Sequence, residues 1–214
     1  MTCTVKLNLK PPERAVLCGI MLPSCNPPPP VVILIMGLSA TGKTILAKNI
    51  SKELGFPLIV KDEIAEKIFD TIGYKDRKFS MKAGHSSQLI TEYFLEELLK
   101  TGNSAVVEGY YFKKIPPRYR ELQVKYGYKA VQVILTADVN IIIQRYEARA
   151  RGGDRHKGHK DLQGLKRWRK QVTKRAEEGI HPLKLAGNVL RIDTSDFADI
   201  DPKKIAEQIM SVAR

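Results

Sequence analysis

The chain has 214 residues, of which 43% are hydrophobic and 28% charged, and its formal net charge is +13. This length and composition indicate one globular domain with a proper core. No apolar run is long enough to span a bilayer, which argues against a membrane protein. The basic balance suits an anionic ligand, nucleic acid or an anionic surface. The odd number of cysteines (Cys3, Cys18 and Cys25) argues against a disulfide framework, and we expect a cytoplasmic protein.

Residues 1–30 differ in composition from the rest of the chain. Basic residues precede the apolar run 15–22, a weak resemblance to a secretory or lipoprotein signal. Because that run is short, we favour a poorly ordered surface extension, or a start codon assigned too early, with Met21 as the alternative start. Pro27–Pro30 predicts a stiff, extended spacer that leads into the domain at residue 31.

The segment Gly37–Thr44 matches G-x-x-x-x-G-K-[ST], the phosphate-binding P-loop. The apolar run 31–36 before it predicts a buried strand, and apolar residues near helical spacing over 45–54 predict a helix after it. This context argues against the alternative, a chance glycine-rich turn. Lys43 is expected to reach the β- and γ-phosphates of ATP, and the Thr44 hydroxyl to bind Mg²⁺. The expected nucleotide-binding residues are Gly37, Leu38, Ser39, Ala40, Thr41, Gly42, Lys43, Thr44 and Ile45.

Strand and helix patterns alternate along the remainder of the chain. The predicted strands are 56–60, 104–109, 129–136 and 188–193. The predicted helices are 64–69, a long one from about Ser80 to Gly102, one opened by Pro116–Pro117, 139–150 capped by Asp138, 162–178 and 202–213. The long helix is expected to take its apolar positions from Leu89, Tyr93, Leu95, Leu98 and Leu99. The alternation predicts an α/β fold with a parallel sheet.

Two acidic residues are predicted at the ends of strands, where open parallel sheets bind their ligands. Asp62 follows the second strand and is a candidate to orient or deprotonate an acceptor hydroxyl. Its alternative role is the N-cap of the helix after it. Glu108 ends the third strand and is a candidate ligand of Mg²⁺ or of the acceptor, with a solvated strand end as the alternative.

Basic residues concentrate in 145–175, which contains twelve Lys and Arg against three Asp and Glu. Such a segment suits a lid that grips phosphate, although part of it is also typical of a solvated helix. The candidates are Arg145, Arg149, Arg151 and Arg155, with Arg145 and Arg149 expected to share one helix face and an anionic partner. Residues 151–159 combine glycine, charge and histidine, which predicts a mobile loop. His156 and His159 flank the basic glycine segment 157–158 within it and are candidates to contact acceptor or phosphate, whereas His85 and His181 are interpreted as structural.

Together these features resemble the P-loop kinases of the AAA_33 group, which are similar to zeta toxin and chloramphenicol phosphotransferase. The resemblance covers about 31–213 and is carried by the P-loop, the acidic strand ends, the Arg-x-x-x-Arg pattern, Arg155–His159 and the closing Ile192–Ser195. It implies a three-layer fold with sheet order 2-3-1-4-5 and a lid at about 150–161.

The same resemblance implies roles for individual residues, with ATP and Mg²⁺ as cofactors. Lys43 and Asp62 would be catalytic, Asp62 as acid/base, and Arg149 and Arg155 would stabilise the transferred charge. Arg145 would contact the nucleotide. The sequence departs from related polynucleotide kinases at Ala65, where those proteins carry an arginine.

We therefore predict an ATP-dependent phosphotransferase that transfers the γ-phosphate to a hydroxyl of a small molecule. A polynucleotide 5′-hydroxyl kinase is an alternative that the net charge supports but Ala65 and the few aromatic residues near the basic segment disfavour. A non-enzymatic nucleotide switch ranks last, because the GTPase-like Asp70–Gly73 follows a helix and the chain contains no N-K-x-D motif. The acceptor pocket is expected to be built by the variable segments 70–85 and 109–118.

Overall fold

The computed structural model describes residues 28–109, 118–153 and 155–213. The strands are β1 (Val31–Gly37), β2 (Leu58–Val60), β3 (Ala105–Glu108), β4 (Lys129–Thr136) and β5 (Gly187–Asp193). The helices are α1 (Lys43–Leu54), α2 (Lys61–Ile72), α3 (Arg77–Lys100), α4 (Arg118–Tyr126), α5 (Val139–Gly152), α6 (Asp161–Glu178) and α7 (Pro202–Ala213). The predictions for the first 27 residues, the three cysteines and Pro116–Pro117 lie outside the described residues.

The five strands form one parallel sheet in the order β2-β3-β1-β4-β5. Each strand is followed by a helix that returns the chain to the starting edge, as a parallel sheet requires. The α/β class and the strand order 2-3-1-4-5 are therefore confirmed, and the fold is that of P-loop NTPases. Because all strands run the same way, their carboxyl ends meet at one edge, where β1, β2 and β3 end at Gly37, Val60 and Glu108.

Two apolar cores cover the two faces of the sheet. Alternate residues of β1 point to opposite faces: Val32, Leu34 and Met36 join the core beneath α3 and α4, while Ile33 and Ile35 join the one beneath α1 and α7. The helix pairs contribute mainly leucines, alanines and isoleucines, with Tyr119 and Tyr128 filling the first core. Burial on both faces explains the unbroken apolar run of β1.

Helices α2 and α3 are longer than predicted. Helix α2 covers 61–72 instead of 64–69, so Asp62 lies in its first turn. Helix α3 begins at Arg77, because the side chain of Asp76 caps it by accepting a hydrogen bond from the Phe79 amide.

The predicted apolar face of α3 is wrong at two positions. Leu89 and Tyr93 are 54% and 60% exposed, whereas Leu95 and Leu99 are buried in the core. Ile45, expected on the apolar face of α1, is likewise exposed. Only the C-terminal half of α3 therefore packs on the sheet, and its N-terminal half is left for other contacts. Within the described ranges, no helix is both long and apolar enough to cross a membrane.

Candidate active site

The P-loop connects β1 to α1 at the carboxyl edge of the sheet. Gly42 precedes the helix in a left-handed conformation, with φ of 82°, and none of the described side chains caps the first turn. The free amides of that turn are available to an anion. The carbonyl oxygen of Leu38 accepts hydrogen bonds from Thr41 Oγ1 and Lys43 Nζ, each at 2.8 Å. The lysine is thus held within the loop by a single neutral acceptor.

Lys43 is buried and interacts electrostatically with four charged side chains of the predicted site. Burial lowers the pKa of its ammonium, the carboxylates of Glu108 and Asp62 oppose this, and the guanidinium groups of Arg149 and Arg155 lower the pKa further. The structure therefore brings together five of the predicted site residues, three cations and two anions, although they come from five different segments of the chain.

Asp62 is the second residue of α2, just after β2, and makes ion pairs with two cations. Its carboxylate accepts hydrogen bonds from Lys61 Nζ at 2.9 Å and Arg155 Nη2 at 2.8 Å. Burial would raise the pKa of Asp62, but the charges of Lys61 and Arg155 and their hydrogen bonds outweigh it and hold the pKa well below its ordinary value. The N-cap alternative is wrong, because Val60 is the N-cap of α2 and none of the described side chains caps this helix.

Glu108 ends β3 in register with Val60 of β2 and Ile35 of β1. It is only 4% exposed, so the alternative of a solvated strand end is wrong. Burial raises the pKa of its carboxyl group, and the charge of Lys43 is the largest effect that opposes it. None of the described residues makes a hydrogen bond or ion pair with it.

The predicted lid is folded back onto α2 and α3. Within the expected irregular loop, Lys157–His159 forms a short 3₁₀ helix. His156 Nε2 contacts Asp70 at 3.0 Å and His159 Nε2 contacts Glu66 at 2.9 Å, both on α2. The carbonyl of Gly158 also accepts a hydrogen bond from Ser80 Oγ. Both histidines thus anchor the lid.

Close packing requires glycine at position 158. A Cβ atom there would lie 2.4 Å from the ring of Phe69. Arg155, at the start of this segment, forms ion pairs with Asp62 and with Asp161 of α6, each at 2.8 Å. A single guanidinium group, that of Arg155, therefore connects the predicted lid to both α2 and α6.

Arg149 carries two buried donors that lack an acceptor. Its Nε and Nη2 atoms make no hydrogen bond to the described residues. Burial, followed by the charge of Arg155, lowers the pKa of its guanidinium group. The group lies over the ring of Tyr146, 5.3 Å from the centroid, and Tyr146 in turn stacks on Trp168.

Arg145 lies on the same helix but has different partners. It donates hydrogen bonds of 2.8 Å to the carbonyls of Thr194 and Ser195, directly after β5. Its guanidinium group also stacks on Phe197, 4.3 Å from the ring centroid, and that ring packs against Gly42. A shared anion is therefore not needed to explain the spacing of Arg145 and Arg149.

A cavity of about 1000 Å³ opens beside Asp62 and Arg155, between α2, α3 and α6. Part of the predicted acceptor segment 70–85 lines it, while residues 110–117 lie outside the described residues. Sequence reasoning missed most of its walls, which include Gln88 and Glu92 of α3 and Trp168, Gln171 and Arg175 of α6. His85, interpreted from the sequence as structural, is an exposed residue that lines this cavity. The sequence signal that could have identified the α3 wall was a row of polar residues at helical spacing.

Comparisons with known proteins agree with this geometry. The profile of the AAA_33 family, described as an AAA domain, matches residues 32–178, more than half of the chain. No match was found among curated proteins.

Two solved structures are similar along nearly their whole length. A protein of Chloroflexus aurantiacus J-10-fl, provisionally described as a kinase, has 26% identity and a TM-score of 0.75, covering 87% of this chain and 99% of its own. A sugar kinase from Janibacter sp. HTCC2649 has 15% identity and a TM-score of 0.52, covering 86% and 94%, and at that identity shares the fold alone. The chain therefore belongs to the AAA_33 family of P-loop proteins, whose P-loop implies ATP binding.

Proposed function

We propose that this protein is an ATP-dependent phosphotransferase that transfers the γ-phosphate to a hydroxyl group of a small molecule. One observation supports this most directly: Lys43 and two arginines gather around Asp62 at the point where the P-loop meets a large cavity. The P-loop side is suited to the phosphates of ATP. The cavity side is suited to an acceptor, with Asp62 between the two.

In the proposed reaction the acceptor oxygen attacks the γ-phosphorus, the bond to the β-phosphate oxygen breaks and ADP leaves. Asp62 accepts the hydrogen bond of the attacking hydroxyl and takes up its proton. A carboxylate with a lowered pKa is a weak base, which suffices because the transition state is loose and the proton leaves late. Lys43 and the Arg149 guanidinium supply positive charge where it is needed on the transferred group. Arg155 closes the lid over it and excludes water.

A magnesium ion fits the oxygen groups beside the P-loop. P-loop kinases hold Mg²⁺ with the hydroxyl of the P-loop Ser or Thr and a carboxylate. Thr44 lies in the first turn of α1, and Glu108 is a buried carboxylate without an ion pair to the described residues. No group of three or more His, Cys, Asp or Glu suited to a metal occurs in the described part of the chain, so the ion would be held jointly with ATP. When bound, it would neutralise charge on the β- and γ-phosphates.

The two alternative functions find less support. Ala65, where related polynucleotide kinases have an arginine, is 2% exposed and packs with Phe69 and Ala83 in an apolar cluster. That position therefore offers no contact to a nucleic-acid end. The GTPase-like segment Asp70–Gly73 is the end of α2, where Asp70 binds His156 instead of reaching the P-loop.

The test is an ATP-consumption screen over sugars, antibiotics, nucleosides and oligonucleotide ends, with product detected by phosphorus NMR. Lys43→Ala should lose transfer by about 100-fold or more, because the phosphates lose their principal counter-charge. Lys48→Ala is the matched control, since that lysine lies on the same helix and pairs with Glu63 at the surface. Unchanged turnover in Lys43→Ala would refute the proposal. Transfer to oligonucleotide ends alone would favour the polynucleotide kinase.

A further inference from the structure

The side of α3 that lines the cavity carries polar groups suited to binding a ligand. Its cavity residues follow helical spacing, with Gly84, Gln88 and Glu92 in successive turns of one face. None of these belongs to the P-loop, the lid or the apolar core. The N-terminal half of α3 therefore presents polar groups to the cavity, alongside Met81 and Leu89.

Gly84 lies in the middle of this 24-residue helix, where glycine is unfavourable relative to alanine. A Cβ atom built at Gly84 meets no atom of the described residues within 4 Å. Packing against the protein therefore does not require glycine here. The absent side chain leaves open space in the cavity wall, which suits a ligand that lies against the helix.

Glu92 lies two turns further along the same face. It is 7% exposed, and its Oε1 atom accepts a hydrogen bond of 2.9 Å from Gln88 Nε2. No cation of the described residues forms an ion pair with it. Burial raises the pKa of its carboxyl group, although the hydrogen bond from Gln88 and the charges of Arg118 and His85 oppose this. Hydroxyl groups of a ligand would supply the missing donors.

We propose that Gly84, Gln88 and Glu92 form the acceptor subsite, and that the acceptor is a polyhydroxylated small molecule of the sugar or polyol class. The molecule lies over Gly84, two of its hydroxyls bind the amide and carboxylate, and another points toward Asp62. This rests on the proposed phosphotransfer for the direction of the reacting hydroxyl. A carboxylate and a carboxamide side by side suit adjacent hydroxyls, which both donate and accept hydrogen bonds.

A sugar acid has the same hydroxyl chemistry with one added charge. Arg167 and Arg175 line the α6 wall of the cavity, where an acceptor carboxylate would be attracted. The panel therefore contains matched pairs of neutral aldoses and their aldonates, together with linear polyols. Stronger binding of one member of a pair shows whether the acceptor is a neutral sugar or a sugar acid.

The experiment measures binding of each panel member to the full chain by saturation-transfer NMR, and phosphorylation with ATP and Mg²⁺. Gly84→Leu fills the open space, and Ser86→Leu is its control, on an exposed position of the same turn that does not line the cavity. Glu92→Gln removes the buried carboxylate, and Glu97→Gln, which loses an exposed pair with Lys100, is its control.

We expect at least one polyhydroxylated member to bind, with at least a tenfold loss in Gly84→Leu and in Glu92→Gln and no loss in either control. Affinity for ATP should be unchanged in all four variants. Binding without phosphorylation would refute the proposed kinase activity but leave this subsite standing. Absence of binding by the whole panel, or equal binding by parent, Gly84→Leu and Glu92→Gln, would overturn it. If Gly84→Leu does not fold, Gly84→Ala replaces it, because alanine is a better helix former and extends less far into the cavity.

Discussion

Replacing Arg149 by methionine should make the nucleotide-free protein more stable and strongly reduce the proposed phosphotransfer. Two guanidinium donors of Arg149 are buried without an acceptor in the described residues. A buried polar group that lacks its hydrogen bond costs about 1–3 kcal/mol. Methionine has a similar length and no donors, so this cost disappears.

The substitution also removes an attraction. The guanidinium group lies 5.3 Å from the ring centroid of Tyr146, a cation–π contact that contributes about 0.5–2 kcal/mol. The net gain should therefore be on the order of 1 kcal/mol, or roughly 2–4 °C in melting temperature for a domain of this size. Repulsion from Arg155, which helps to lower the pKa of Arg149, is relieved as well and acts in the same direction.

The assay pairs thermal melting without nucleotide with steady-state turnover. Turnover should decrease by about 100-fold or more, because the transferred phosphate loses a positioned charge. Arg151→Met is the control, since Arg151 lies at the same end of α5 but is 67% exposed and pairs with Glu147. If Arg149→Met melts at a lower temperature than the parent, the orphan donors are satisfied in solution. If it turns over like the parent, Arg149 has no part in catalysis.

Three further predictions address the base, the lid and the buried acid. Asp62→Asn should reduce turnover by about 100-fold or more with little change in ATP affinity by calorimetry, because its partner is the acceptor hydroxyl; an equal loss in both would show a role in nucleotide binding. Gly158→Ala should lower turnover several-fold, because its Cβ would lie 2.4 Å from the Phe69 ring and displace the lid; parent-like turnover would show that lid docking is dispensable. Because burial raises the pKa of Glu108, this carboxyl group binds its proton more tightly in the folded protein than in the unfolded chain. Its contribution to stability therefore decreases as the pH rises above 4.5, the ordinary pKa of a glutamate. Glu108→Gln should therefore raise the melting temperature more at pH 8 than at pH 4, and an equal shift at both would contradict this.

The sequence predicted the parts of the site that local pattern determines. A glycine-rich loop between a buried strand and a helix identified the P-loop, and acids at strand ends identified Asp62 and Glu108, because a parallel sheet brings strand ends to one edge. The strand order came from the family resemblance, since periodicity alone does not specify which strands are neighbours.

The remaining features depend on contacts between distant segments. The lid is fixed by His156 to Asp70, 86 residues earlier, and periodicity gives no information about such a pair. The apolar face of α3 was predicted wrongly at Leu89 and Tyr93, because both fit an apolar helical stripe although only the second half of the helix packs on the sheet. Arg145 and Arg149 share helical spacing but turn to different partners, which the spacing itself does not reveal.

Polar side chains with few partners occur on both the nucleotide side and the acceptor side of this site. Among the described residues, two buried donors of Arg149 have no acceptor, the buried Glu108 makes no side-chain hydrogen bond or ion pair, and Glu92 accepts one hydrogen bond, from Gln88. Folded proteins satisfy most buried polar groups, and exceptions cost stability. The Arg149 donors are such an exception, and the two carboxylates have capacity for a further partner. The donors of Arg149 suit an anion, Glu108 a cation, and Glu92 hydroxyl groups. A phosphate, a magnesium ion and a polyol are the three components that the proposed reaction brings together, so the three groups jointly support the reaction more strongly than any one of them supports its own ligand.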